Sequence, residues 1–94
     1  MRHYELVCII HPDLDEAAFT GVVEKVKGWV IETGGIVDKV EVWGRKRLAY
    51  LIKKHREGQY VLINISLEPT ATSALDQYLR FQEQIIRYML TVVD

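Results

Sequence analysis

Apolar spacing changes period four times along this chain, and that sequence of periods constrains the fold more than any single residue. Residues 3–10 (His3-Tyr4-Glu5-Leu6-Val7-Cys8-Ile9-Ile10) are rich in β-branched side chains and alternate between two faces, as a strand does. Tyr4, Leu6, Cys8 and Ile10 make an apolar face that belongs in a core; His3, Glu5, Val7 and Ile9 make the other. From about 14 to 33 the step becomes three and four, with Phe19, Val22, Val23, Val26, Trp29 and Val30 on one helical stripe. His11-Pro12-Asp13 is the turn between them. Asp13 and Glu16 have capping-box spacing, with Asp15 a rival cap. Gly34-Gly35 ends the helix, because glycine enters the left-handed region without a Cβ clash.

A second strand starts near Ile36 and runs through Trp43. Its apolar positions change parity (Val37, then Val40 and Val42, then Trp43), which predicts a bulge or bend. Residues 59–67 alternate cleanly, Val61, Ile63, Ile65 and Leu67 against Tyr60, Leu62, Asn64 and Ser66. A second helix over about 72–82 turns Leu75, Tyr78 and Leu79 to one side. A last strand, 85–92, sets Tyr88, Leu90 and Val92 against Arg87, Met89 and Thr91.

The order is β-α-β-β-α-β. In 94 residues, room for one core only, it predicts a single α+β domain spanning 1–94. The expected architecture is ferredoxin-like, a four-stranded antiparallel sheet with two helices on one face. Right-handed crossovers give the spatial order four-one-three-two, which leaves strands two and four as edges. The open face then carries His3, Glu5, Val7 and Ile9, Tyr60, Leu62 and Asn64, and Arg87, Met89 and Thr91. It mixes apolar with polar side chains more than a solvated face needs, so it is a candidate contact surface.

Charge is the second constraint. The net charge is −1, yet Arg45, Lys46, Arg47, Lys53, Lys54 and Arg56, half of the twelve Lys and Arg, crowd into residues 44–56 without one acid. Such a window is either a solvated hairpin or the footprint of a polyanion. Its centre, Leu48 to Ile52, is apolar and flanked by bases on both sides, the pattern of a long hairpin arm.

Catalytic constellations are missing. Cys8 is the only cysteine, lies on the core parity of its strand and fits a reducing, cytoplasmic setting. His3, His11 and His55 are scattered, so no metal site is expected. Gly34-Gly35 follows a helix, whereas phosphate loops lie between a strand and a helix. Enzymes that cradle phosphate on this plan need an arginine after strand one, and the loop 10–15 is acidic. No run approaches a membrane span, and the N-terminus lacks the pattern of a signal peptide. The expectation is a protein that is no enzyme, with no cofactor, no small-molecule substrate and no membrane. An alternative to phosphate binding by the arm is an RNA-recognition-like module stacking single-stranded RNA on the sheet face, for which only Tyr60 has the right parity.

Several motifs together are more specific. Met1-Arg2-His3-Tyr4-Glu5, His11-Pro12-Asp13-Leu14, the run Trp43-Gly44-Arg45-Lys46-Arg47-Leu48-Ala49-Tyr50-Leu51-Ile52-Lys53-Lys54, and Ile86-Arg87-Tyr88-Met89-Leu90 resemble, in order and over the whole chain, the bacterial small-subunit ribosomal protein six family. Leu51 departs from the proline common in that family, and members often carry a charged C-terminal extension past the point where this sequence stops. The resemblance implies a structural role in the cytoplasmic small ribosomal subunit, binding the central domain of 16S ribosomal RNA together with ribosomal protein eighteen. It adds Arg2 and Arg87 to the arm's Arg45, Lys46, Arg47, Lys53, Lys54 and Arg56 as expected RNA contacts. The protein partner is expected on the strand-two edge and nearby open face, at Trp43, Leu48, Tyr50, Ile52, Tyr60 and Leu62. The alternative is that Tyr50 and Ile52 fold back onto the chain itself.

Overall fold

In the computed structural model, which describes residues 1–93, β1 (Arg2–Ile10), α1 (Glu16–Glu32), β2 (Ile36–Ile52), β3 (His55–Leu67), α2 (Thr72–Arg80) and β4 (Ile85–Val92) follow in the expected order. The strands form one antiparallel sheet, β2-β3-β1-β4. This is the predicted order read from the other edge. The inward residues of β1 and β3 pack with Val26 and Val30 of α1 and with Leu75 and Leu79 of α2, so both helices cover one face. Leu6, Ile10, Ile63, Ile65, Leu67 and Leu75 are wholly buried.

Local chemistry sets the boundaries. Asp15, not Asp13, caps α1: its carboxylate accepts from the Ala18 N–H at 2.8 Å. Asp13 instead closes the preceding turn, where its N–H donates to His11 Nδ1 at 3.2 Å. At the other end Gly34 (φ 89) and Gly35 donate to Ile31 O and Val30 O, a Schellman cap. A short 3₁₀ turn, Pro69–Ala71, precedes α2, which stops at Arg80 rather than 82.

The parity changes in β2 are real bulges. Asp38 is the extra residue between the pairs Val37–Ile65 and Lys39–Asn64, and Trp43 the extra one between Val42–Val61 and Gly44–Tyr60. Asp38 uses its bulge to accept from Ser66 Oγ at 2.7 Å, which satisfies a buried polar side chain.

The largest departure is the arm. No separate appendage leaves the sheet; β2 and β3 continue through it to a two-residue turn at Lys53-Lys54. Between the pairs Arg47–Glu57 and Ile52–His55, four residues of β2, Leu48 to Leu51, face the single residue Arg56. The excess length bends the ribbon back over the open face. Ile9, Leu62 and Ile86, outside the main core, are only 8%, 7% and 5% exposed. An open surface was expected at Ile9 and Leu62. Both are buried instead, and the apolar run of the arm lies along their side of the sheet.

Candidate nucleic-acid interface

Strand alternation sorts the arm's bases between two sides. Gly58 lies on the open face, since a Cβ there would meet Ile9 Cγ2; Lys46, directly opposite, shares that face. Arg45 and Arg47 therefore point to the helix side. Arg45 pairs with Glu57 at 2.8 Å and lines a groove with Asp15 and Glu16. Its charge is answered within the chain, although the sequence groups it with the others. Lys53, Lys54 and Arg56 cluster at and beside the tip, exposed and, among the described residues, without an acid partner.

The tip geometry is unusual. Lys53 (φ 49) and Lys54 (φ 70) both occupy the left-handed region, as a two-residue type I′ hairpin demands. Asn-Gly is the preferred pair for that turn; here two lysines take it and project two charges from the most extended point of the ribbon.

The bend brings distant residues together. Arg87 on β4 donates through Nη1 to the Tyr50 hydroxyl at 2.6 Å, joining the two edges of the sheet over its open side. Under this strap lies a cavity of about 230 Å³ lined by Val7, Ile9, Leu48, Tyr50, Ile52 and Met89 among others. Tyr50 remains 63% exposed, so the strap has an outer surface as well as a roofed one. Arg87 thus joins the arm, whereas Arg2 does not: it pairs with Leu67 at the opposite end of β1, roughly 27 Å along the strand from Ile10.

The expected partner-contact residues also divide. Leu62 is under cover; Leu48 and Ile52 are half-buried against the sheet; Tyr50 and Trp43 face water. Trp43 stacks beside Tyr60, ring centroids 6.5 Å apart and 17° from parallel, with the Lys46 ammonium 5.4 Å from the indole. Sequence parity singled out Tyr60 but not this pairing, which depends on the Trp43 bulge.

Other chemistry is sparse. Burial pushes the Cys8 thiol up to about 12, so it stays protonated and unreactive. Among the described residues no three His, Cys, Asp or Glu side chains converge as metal ligands, and no helix is long and apolar enough to cross a membrane. A cavity of about 500 Å³ between the helices, lined by Trp29, Ala74, Gln77, Tyr78, Phe81 and Gln82, has no charged side chain in its lining.

Comparison with known proteins agrees with this geometry. Residues 3–91 match the sequence profile of the family described as Ribosomal protein S6. Small ribosomal subunit protein bS6 of Moorella thermoacetica is 43% identical over 91 residues, 97% of this chain and 93% of the relative. The bS6 protein of Clostridium kluyveri is 40% identical over 90 residues, 96% of this chain and 95% of the relative. The crystal structure of 30S ribosomal protein S6 from Thermotoga maritima superposes with a TM-score of 0.93 at 34% identity, covering 98% of this chain and 87% of that one.

Proposed function

The chain belongs to the ribosomal protein S6 family of the bacterial small ribosomal subunit, and we propose that it acts there by binding 16S ribosomal RNA. The role is structural and non-catalytic, on the cytoplasmic ribosome, in a heterodimer with ribosomal protein eighteen. The observation that carries this reading is the cluster Lys53, Lys54 and Arg56, without an acid partner among the described residues, on an arm that the Tyr50–Arg87 bond ties to Arg87 of β4. Backbone phosphates need bases at the right spacing and no particular sequence, and the exposed hairpin tip supplies them. Lys46 and Arg47 extend the same ribbon; Arg45 contributes through its pairing with Glu57 rather than as a first contact. Arg2, at the far end of β1, would touch a separate stretch of RNA.

The chain's net charge of −1 argues that it does not hold RNA tightly alone. A basic partner seated on the strap and the β2 edge would complete the surface. Tyr50, Leu48 and Ile52 on the strap, with exposed Met89 beside them, supply apolar contact area. Leu62 is buried on the same side of the sheet, opposite Val7.

Salt dependence tests the arm. The combination Lys53→Asn, Lys54→Gly and Arg56→Gln removes three charges and suits the turn. With the partner present, it should lower the slope of log K against log salt for a 16S central-domain fragment by about 2 to 3. An unchanged slope would remove the arm from the RNA interface. Tyr50→Glu, on an exposed side chain, should abolish heterodimer formation while the protein stays folded; undiminished association would move the docking site elsewhere.

A further inference from the structure

One aromatic pair has no part in packing the helices onto the sheet. Trp43 is the extra residue of its bulge, and Gly44 beside it has φ 86, a conformation that L side chains rarely adopt. The bulge puts the indole alongside Tyr60 on the side away from the strap cavity, which Tyr60 lines and Trp43 does not. Trp43 is 45% exposed. The Glu41 carboxylate, two residues back on β2, pairs with Lys39 at 2.8 Å, and the neighbouring indole N–H adds to the pull that lowers its pKa. Tyr60 supports the ring by stacking, and Lys46, on the same face, holds its ammonium 5.4 Å from the ring centroid.

A half-exposed aromatic flanked by Tyr60 and Lys46 does not gain in core burial what it leaves in water. It does have what an unpaired nucleobase needs, a flat π-surface backed on one side by Tyr60, and a cation close enough to take the adjoining phosphate. The pair also stands where the basic ribbon begins, three residues from Lys46. RNA held by the arm's charges would run past it.

We propose that Trp43 and Tyr60, with Lys46, form a stacking platform for one unpaired nucleobase of the RNA that the arm holds by its phosphates. The proposal rests on RNA binding by the arm and adds a site that discriminates single-stranded from paired RNA. Stacking is indifferent to base identity, so the platform selects for an unpaired base and not for a sequence. Lys46 leaves the indole for the phosphate as the base arrives.

The test uses the full chain carrying Trp29→Phe, so that indole emission reports Trp43 alone. A single-stranded RNA of about twelve nucleotides, and the same strand annealed to its complement, are titrated in turn. The single strand should quench Trp43, and the duplex at equal phosphate concentration should not. Trp43→Leu should weaken single-strand binding by roughly fivefold to a hundredfold with the salt slope unchanged, because stacking releases no counterions. Trp43→Phe should recover most of the loss, which separates stacking from misfolding. The arm combination Lys53→Asn, Lys54→Gly and Arg56→Gln serves as the second arm, expected to weaken both RNAs and flatten the slope. If it changes neither RNA's affinity, the arm is not an RNA site. If it does, while Trp43 emission stays unquenched or Trp43→Leu binds as before, the platform alone is refuted. Emission that changes on adding ribosomal protein eighteen and is then insensitive to RNA would make the pair a protein contact, and would overturn the proposal.

Discussion

Gly58→Ala isolates the close packing beneath the strap. Two effects of opposite sign meet at this position. Alanine restricts the unfolded chain and is the better strand residue, which favours it by about 0.5–1 kcal/mol where space allows. Here space is lacking: a Cβ on Gly58 would stand 2.3 Å from Ile9 Cγ2, with Ile10 O and Ile86 Cδ1 at 3.6 Å. Ordinary van der Waals contact is about 3.4–4 Å, so Ile9 must retreat by more than 1 Å. The Cγ2 methyl sits on a branched Cβ and cannot swing away without an off-rotamer χ1, and Ile9 is only 8% exposed. Overpacking of this kind costs about 1–3 kcal/mol, more than the intrinsic gain. In thermal unfolding, a net loss of about 1–2 kcal/mol lowers the midpoint by roughly 4–16 °C for a domain of this size. Ile9→Ala in the same chain should relieve the clash, so the double variant should be more stable than the two single losses added together. Gly58→Ala that is neutral or stabilising would refute the packing described under the strap.

Two further outcomes follow from particular residues. The folded-state value of about 12 for Cys8 lies above its ordinary 9.0, so the native thiol keeps a proton that the unfolded chain releases. That contribution is complete below about pH 9 and is lost as pH rises toward 12, at up to about 1.4 kcal/mol per pH unit; urea titrations should show a steeper decline above pH 9 for the native sequence than for Cys8→Ala, and parallel declines would contradict the burial. Lys53→Asn with Lys54→Gly should stabilise the turn by about 1–2 kcal/mol, since each lysine bears a left-handed φ; hydrogen exchange of the arm amides should slow accordingly, and unchanged exchange would mean the turn is not of this type.

Where pattern is local, the sequence was a sufficient guide. The inward parity of Tyr4, Leu6, Cys8 and Ile10 survives intact because a buried face tolerates no slip of one residue. The parity changes between Val37 and Trp43 predict a bulge or bend for the same reason, and the strand carries two bulges there. Asp13 and Asp15 could not be ranked as caps from spacing, because the choice depends on where the chain leaves the His11 turn. The strap was hidden more deeply. Four residues opposite Arg56 follow no period, and the Tyr50–Arg87 bond joins positions 37 apart in sequence. An apolar run such as Leu48 to Ile52 reads equally as partner surface or as cover for the chain itself, and in the structure it has an inner and an outer side. Charge counting likewise treats Arg45 and Lys46 alike. Register separates them, giving one to Glu57 and the other to the open face.

The most direct measurement is the affinity of a 16S central-domain fragment for the full chain, at physiological salt, with and without ribosomal protein eighteen. The chain alone should bind only in the nonspecific range, with Kd of about 10⁻⁴–10⁻⁶ M. The heterodimer should bind at least a hundredfold more tightly, on the order of 3 kcal/mol of coupling, and neutralising Lys53, Lys54 and Arg56 should remove part of that affinity with a flatter salt dependence. Tight binding by the chain alone that ignores both the partner and the loss of those three charges would contradict RNA binding through a partner-completed arm.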